Sequence, residues 1–153
     1  MGDTPTTPPP SGERRCIFCA IVARDAPASW VAERERAIAF LTRGPLRPGH
    51  TLVIPRAHAA TLSEVAPDDW RAVSTLALEV AGMHAERLGA TGATLFLASG
   101  RAGEQSVDHL HLHVVPRAEG DGLDLNSWWE RKVGSPELSE LERVARRLRS
   151  DAP

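Results

Sequence analysis

Three histidines occur at alternate positions in the segment DHLHLHVVPR, which covers residues 108–117. They are His109, His111 and His113, and the whole chain contains only six histidines. If this segment is a β-strand, the three imidazoles share one face, and Leu110 and Leu112 lie on the other. At about 3.3 Å per residue the first and last histidines are roughly 13 Å apart, so a regular strand cannot direct all three to one metal ion.

The histidine row allows three chemical interpretations. The first is a set of exposed histidines without a function, which the perfect alternation beside an apolar stripe disfavours. The second is a catalytic zinc ion that is bound by the first two histidines of the row and another from elsewhere in the chain, with a bound water molecule as the nucleophile. The third is a nucleophilic imidazole, because neutral imidazole attacks phosphorus well and neighbouring histidines can supply protons and stabilise charge.

The only two cysteines of the chain, Cys16 and Cys19, form a C-x-x-C pair. Such a pair is a common half of a tetrahedral zinc site and suits metal ligation better than a structural disulfide. The remaining two ligands should be histidines, and the candidates are His58 and one end of the histidine row. A site with four protein ligands is closed and structural, whereas zinc–water chemistry needs an open position. The cysteines therefore argue against a catalytic zinc.

The elements that position these residues can be predicted from apolar periodicity and from turn residues. Strands are predicted over residues 37–41, 50–55, 93–98 and 109–115. A long helix is predicted from Pro67 to Leu88, followed by Gly89 as a stop.

A last helix is predicted after Ser135 and Pro136, and its apolar stripe consists of Leu138, Leu141, Val144 and Leu148. Strands in runs around one long helix indicate an α+β fold with an antiparallel sheet.

Composition predicts one soluble domain. The chain has 153 residues, of which 42% are hydrophobic and 25% charged, and its formal net charge is -2. Residues 1–12, rich in threonine and proline, are predicted to be a disordered tail, and residues 13–150 a single domain. The charge gives no reason to expect binding to nucleic acid or membrane, and no apolar run approaches the ~18 residues of a membrane helix. The C-x-x-C pair favours the cytoplasm.

The sequence resembles the histidine triad (HIT) family of nucleotide hydrolases and transferases, whose signature is His-φ-His-φ-His-φ-φ with φ apolar. The signature stands here as HLHLHVV, and the segments CIFCAIV, AIAFL, GHTLVIPRAH and GEQSV follow the family's order at close to its spacing. The resemblance implies a compact α+β fold and a homodimer. It also implies cleavage at the α-phosphate of a purine nucleotide derivative, a phosphoramidate or a dinucleoside polyphosphate, through a nucleotidyl-histidine intermediate.

The resemblance further implies roles for individual residues. His111 would be the nucleophile, and His113 and Ser106 would contact the phosphate or the leaving group. His50 matches a further active-site histidine of the family. As in zinc-bearing bacterial relatives, a structural zinc would be bound by Cys16, Cys19, His58 and His109. The nucleotide would be bound by Ile17, Phe18, Ile21, Phe40, Gln105, Ser106, His111 and His113.

The chain departs from the family pattern beside this site. Many relatives carry an aspartate near the ribose hydroxyls after the position of Phe40, where this chain reads Leu41-Thr42-Arg43, and Ala98 stands where an asparagine is common. Two other classes of function are a nucleotide-binding partner protein with little turnover and a zinc-built interaction module. The complete set of Ser106, His111 and His113 favours the enzyme.

Overall fold

A computed structural model of the protein describes residues 16–124, 134 and 136–149. The chain divides into two compact units, the first ending at Asp121 and the second beginning at Gly122. The predicted tail over residues 1–12 and the predicted helix cap Ser135 lie outside the described residues. The single domain over residues 13–150 stays a prediction.

The first unit contains a five-stranded antiparallel sheet and two α-helices. The strand order across the sheet is β1-β2-β3-β5-β4, and the predicted α+β fold with an antiparallel sheet is thus confirmed. In chain order the elements are α1 (Ile17–Val22), β1 (Trp30–Glu33), β2 (Ala37–Leu41), β3 (Thr51–Pro55), α2 (Pro67–Leu88), β4 (Gly92–Phe96), a 3₁₀ turn (Arg101–Gly103) and β5 (Leu112–Arg117).

The second unit contains α3 (Leu138–Arg149), which confirms the predicted last helix. Its apolar stripe is exposed and consists of Leu138, Leu141, Val144 and Leu148. No helix in the described part of the chain combines the length and the apolar character that crossing a membrane requires.

The long helix α2 has the predicted bounds because both of its ends carry strong sequence signals. Pro67 occupies the first turn, where its missing N–H costs nothing, and Asp68 and Asp69 face the positive end of the helix dipole. At the other end Gly89 adopts φ +67°, and its N–H donates to the carbonyl oxygen of His84. This left-handed conformation favours glycine and ends the helix.

Alternate residues of β2 and β3 face two different helices, so both strands are buried on both sides. The face toward α2 is formed by Ala37, Ala39 and Val53, which pack against Val73, Leu76, Ala77 and Val80. The face toward α1 is formed by Ile38, Phe40, Leu52 and Ile54, which pack against Phe18 and Ile21. The two faces are named the α2 face and the α1 face below.

The histidine row is not one regular strand, and the predicted strand over residues 109–115 is wrong at its beginning. β5 starts at Leu112, so His109 and His111 precede it. The backbone N–H of Leu110 donates to the carbonyl oxygen of Ala59 at 2.7 Å instead of to a neighbouring strand. Only His113 lies within the sheet. The three imidazoles are therefore not held in one regular row, although the rings of His111 and His113 remain neighbours, with 5.0 Å between their centroids.

Candidate active site and metal site

Two cysteines and two histidines converge at one end of α1. Cys16 and Cys19 lie at the start of this helix, His58 follows β3, and His109 precedes β5. The Sγ atom of Cys19 is 3.3 Å from Nδ1 of His58, and the Sγ atoms of both cysteines are 3.5 Å from Nδ1 of His109. The four ligand atoms all lie within 4.8 Å of one another.

These separations fit a tetrahedral zinc ion. With Zn–S of about 2.3 Å and Zn–N of about 2.05 Å, tetrahedral geometry places sulfur and nitrogen about 3.6 Å apart. Two thiolates and two imidazoles are also a donor set that zinc prefers. Four protein ligands leave no open position for a reactive water, so an ion bound here would be structural.

The outer hydrogen bond of His109 orients its ring for a metal. Its Nε2 lies 2.9 Å from the carbonyl oxygen of Pro55, which can only accept, so Nε2 carries the proton. The lone pair of Nδ1 then points toward the two sulfur atoms. Burial lowers the pKa of His109 to about 4, which keeps the ring neutral.

A cavity of about 670 Å³ opens on the α1 face of the sheet, within the size range of small-molecule sites. Phe40, Leu52 and His113 lie in one row across β2, β3 and β5, because Leu52 pairs with both of the other residues. The apolar wall of the cavity is formed by Ile17, Phe18, Ile21, Phe40, Leu52 and Val107. Its polar part includes Ser106, His111 and His113.

A backbone carbonyl fixes the tautomer of His111. The Nδ1 atom lies 2.7 Å from the carbonyl oxygen of His109 and must donate the proton in that hydrogen bond. A neutral ring with its proton on Nδ1 has a lone pair on Nε2. The ring is 2% exposed and packs edge-on against Phe18, with 5.4 Å between ring centroids. His111 thus holds an oriented basic nitrogen in a residue that lines the cavity.

A second chain of hydrogen bonds fixes the tautomer of His113. The backbone N–H of Leu46 donates to Nδ1 of His50, so a neutral His50 carries its proton on Nε2. That Nε2 lies 2.9 Å from Nδ1 of His113 and donates to it, which leaves the proton of His113 on Nε2. Phe96 stacks on His113, with 4.2 Å between ring centroids and 10° between ring planes. His111 and His113 therefore have opposite tautomers, one with a lone pair on Nε2 and the other with an N–H.

At Gly49 the backbone passes close to the side chains of Leu88 and Pro116, and this turn places the next residue, His50, beside His113. Gly49 has φ +90°, and a Cβ atom there would lie 2.6 Å from Cδ1 of Leu88 and 3.2 Å from Cγ of Pro116. Only glycine fits between these side chains without displacing them. The turn before β3 is therefore set by packing against α2 and β5.

Burial keeps the histidines of the site neutral. Burial and then the nearby His84 lower the pKa of His50, and burial also lowers the pKa of His111. Burial, followed by the neighbouring His111 and His50, lowers the pKa of His113 to about 4. At neutral pH these rings are uncharged, which the two tautomer assignments require.

The low pKa of His113 is expected to make the stability of the protein depend on pH. Between about pH 6.5 and pH 4 the unfolded chain binds a proton at this histidine and the folded chain does not. The contribution of neutral His113 is thus complete above pH 6.5 and is lost as the pH falls toward 4. Allowing for screening by solvent, we expect the loss of unfolding free energy between pH 7 and pH 5 to be about 1 kcal/mol smaller in His113→Asn.

Chemical denaturation of both proteins at the two pH values measures this difference. Asparagine retains an oxygen that accepts the hydrogen bond from His50, so the comparison isolates the titrating group. Equal losses of stability in the two proteins would show that His113 is not responsible.

The structure brings together most of the residues predicted from the sequence, with Gln105 as the exception. Its amide donates to the carbonyl oxygens of Ala60 and Val107 and accepts from the N–H of Gly100, so it ties loops together and does not line the cavity. A nucleotide-binding role for Gln105 stays a prediction. Conversely, Leu52 and Val107 line the cavity and were not singled out, because an isolated apolar residue carries no functional signal in a sequence.

The fold and this site define an α+β protein with a cavity lined by histidines, and known proteins share its sequence pattern and its fold. Residues 23–120 match the HIT domain family. An uncharacterized HIT-like protein of Mycoplasma pneumoniae is 42% identical over 104 residues, 68% of this chain and 72% of that protein. The adenosine 5'-monophosphoramidase of Schizosaccharomyces pombe is 34% identical over 122 residues, 80% of this chain and 88% of the yeast protein.

Solved structures agree with these matches. The crystal structure of a zinc-bound histidine triad family protein from Mycobacterium smegmatis superposes with a TM-score of 0.71 at 37% sequence identity. It covers 86% of this chain and 91% of the mycobacterial chain. The chain therefore belongs to the HIT family, which includes nucleotide hydrolases acting on small nucleotide substrates.

Proposed function

We propose that the protein is a nucleotide hydrolase or transferase that cleaves a purine nucleotide derivative at its α-phosphate through a nucleotidyl intermediate on His111. The observation that carries this proposal is the hydrogen bond of 2.7 Å from Nδ1 of His111 to the carbonyl oxygen of His109. It leaves a lone pair on Nε2 of a buried, neutral imidazole, which is the form that attacks phosphorus.

In the first step Nε2 of His111 forms a bond to the α-phosphorus, and the bond from phosphorus to the leaving group breaks. The Nε2–H of His113 donates a hydrogen bond to the leaving group and stabilises the negative charge that develops there, while the hydrogen bond from His50 orients the ring of His113. The leaving group takes its proton from solvent. The hydroxyl of Ser106 lies in the same cavity and is suited to contact the phosphate or the leaving group.

In the second step a water molecule attacks the phosphorus, and the bond to His111 breaks. The nucleoside monophosphate leaves, and the attacking water releases its proton to solvent, so His111 and His113 return to their starting forms. The apolar wall around Phe18 and Phe40 provides an apolar surface for a base, and the leaving group extends toward the opening of the cavity.

A zinc ion bound by Cys16, Cys19, His58 and His109 would supply a structural cross-link. It would fix His109, whose carbonyl oxygen orients the nucleophile two residues further along the chain. The metal site and the nucleophile are thereby connected through the backbone.

Turnover of an adenosine 5'-phosphoramidate by the purified protein tests the proposed function. Mass spectrometry of the reaction quenched with alkali, in which a phosphorus–nitrogen bond survives, should detect a peptide with adenylylated His111. Tight binding of the nucleotide without turnover would instead indicate a nucleotide-binding partner protein. Neither binding nor turnover would favour the zinc-built interaction module.

We expect the protein to be a homodimer, on the strength of its family and of exposed apolar side chains. β4 is an edge of the sheet and exposes Leu95, while α2 exposes Leu78 and Leu88. Two-fold pairing is the commonest way to bury such a surface. Light scattering should give twice the mass of the chain, and Leu95→Glu should shift the protein to monomers. Leu62→Glu, a charge placed on an exposed loop residue, is the control; a monomeric wild-type protein at micromolar concentration would contradict the expectation.

A further inference from the structure

One end of the cavity carries a positive charge that the proposed mechanism does not use. Arg43 is the single residue with a formal charge among the described residues that line the cavity, since the histidines are neutral and no carboxylate lines it. Arg43 is exposed to solvent, and a cation that lines a concave site attracts anions and raises their local concentration. The cavity is thus suited to a ligand with negative charge at this end.

Arg43 differs from the arginines on either side of it in the sequence. Nη2 of Arg36 lies 2.9 Å from a carboxylate oxygen of Asp69, and Nη1 of Arg47 donates to the carbonyl oxygen of Asp121 at 2.6 Å. Within residues 16–124, Arg43 has neither an ion-pair partner nor a hydrogen-bond partner. All five guanidinium N–H groups of Arg43 are therefore available to a ligand.

The backbone holds Arg43 close to the histidines. The N–H of Thr42 donates to the carbonyl oxygen of His50 at 3.1 Å, and His50 is the residue whose ring contacts His113. The N–H of Gly44 in turn contacts Oγ1 of Thr42 at 3.4 Å, which stabilises the turn after β2. Residues 42–44 therefore form an edge of the cavity that carries the charge of Arg43 and is attached to His50, the residue that orients the ring of His113.

We propose that Arg43 is a specificity-determining residue that binds a second phosphoryl group of the nucleotide, beyond the α-phosphate that faces His111. The inference rests on the proposed function, because it concerns the substrate of the same site. A guanidinium group forms two parallel hydrogen bonds with a phosphoryl group, and such charge-assisted bonds are stronger than neutral ones. Two sources supply this chemistry, a phosphate on the 2' or 3' oxygen of the ribose and a phosphate chain in the leaving group.

Equilibrium binding distinguishes these sources. Calorimetric titration compares AMP with adenosine 2',5'-bisphosphate, adenosine 3',5'-bisphosphate and ADP, which place the second phosphoryl group at three different positions. We expect wild-type protein to bind at least one of the three about tenfold or more tightly than AMP. In Arg43→Gln this ratio should fall to near one, and Arg43→Lys should retain part of it because the charge remains.

Arg87→Gln is the matched control, because it removes the same charge from an exposed residue in the last turn of α2, outside the cavity. It should keep the wild-type ratio. Equal affinity of the wild-type protein for all four ligands would overturn the proposal, as would an equal loss of preference in the two glutamine variants.

The binding measurement separates this inference from the proposed function. A wild-type protein that prefers a bisphosphate but does not turn over an adenosine phosphoramidate would contradict the proposed function and support the role of Arg43. Turnover of the phosphoramidate without any preference among the four ligands would support the proposed function and contradict the role of Arg43. A protein that binds none of them would overturn both.

Discussion

Replacement of His111 with alanine is expected to lower the turnover of an adenosine phosphoramidate by at least about 10⁴-fold. Removal of a general acid alone typically costs about 10²–10⁴-fold, whereas loss of the nucleophile removes the covalent route altogether. Nucleotide binding and zinc content should be largely retained, because the metal ligands and most of the apolar wall are untouched. Steady-state kinetics, calorimetry and metal analysis measure these three properties.

His111→Asn is a sharper version of the same experiment. Its side-chain amide can still donate a hydrogen bond to the carbonyl oxygen of His109 but offers no nucleophilic nitrogen. Equally large losses in the alanine and asparagine variants would identify the lone pair of His111 as the essential feature. Near-normal rates in His111→Ala would restore the interpretation of a zinc-activated water.

His109→Ala should have a different effect, although it lies only two residues away. We expect it to lower the zinc content and the stability together, since His109 is buried and contacts both Cys16 and Cys19. The two variants thus separate the metal site from the nucleophile within one short segment.

Loss of the metal is expected to have the second largest effect. The wild-type protein should carry about one zinc ion per chain, and Cys16→Ser should lower both the zinc content and the midpoint of thermal unfolding. An ion that binds only the folded state contributes about 4 kcal/mol when its free concentration is 1000 times Kd. For a chain of this size, such a loss lowers the midpoint by roughly 10 °C.

Ala20→Ser is the matched control, because it introduces the same serine into the same helix without removing a ligand. It should keep its zinc and most of its stability, and wild-type protein stripped by a chelator should behave like Cys16→Ser. A metal-free wild-type protein that is folded and active would contradict the zinc assignment.

The sequence predicts α2 and β2 correctly because their own residues determine them. Pro67 and Gly89 mark the ends of the helix, and the apolar run of β2 is buried on both sides of the sheet from Ala37 to Phe40. Such local signals act before any tertiary contact forms.

Short elements were missed for the opposite reason. β1 has four residues and is followed by the charged sequence RER, and α1 has six residues, too few to show a helical period. Packing of Phe18 and Ile21 against the sheet stabilises α1, and no local pattern reveals this contact. Helices of this length depend on tertiary packing.

In the candidate site, too, the sequence predicts which residues take part but not the contacts that they make in the fold. The sequence identifies the histidines and the cysteines because their types and spacing are rare. It does not show where the proton of each ring lies. The carbonyl oxygen of Pro55 places the proton of His109 on Nε2, that of His109 places the proton of His111 on Nδ1, and the N–H of Leu46 leaves the proton of His50 on Nε2. These contacts depend on the folded backbone and not on residue type. The sequence likewise does not show that Arg36 and Arg47 have partners in the fold while the guanidinium group of Arg43 can bind a ligand.

The four metal ligands come from distant parts of the chain, and this has a consequence for the unfolded state. Cys16 and His109 are 93 positions apart, so an ion bound to both closes a loop that contains most of the first unit. The entropy lost on closing a loop rises with the logarithm of its length, so this cross-link restricts the unfolded chain more than one within a hairpin would. The N-terminal ligand of this cross-link, Cys16, lies at the start of α1, and α1 also provides one side of the cavity. Loss of the ion would therefore remove the attachment of α1 to His109 and weaken the wall that Phe18 and Ile21 contribute to the cavity.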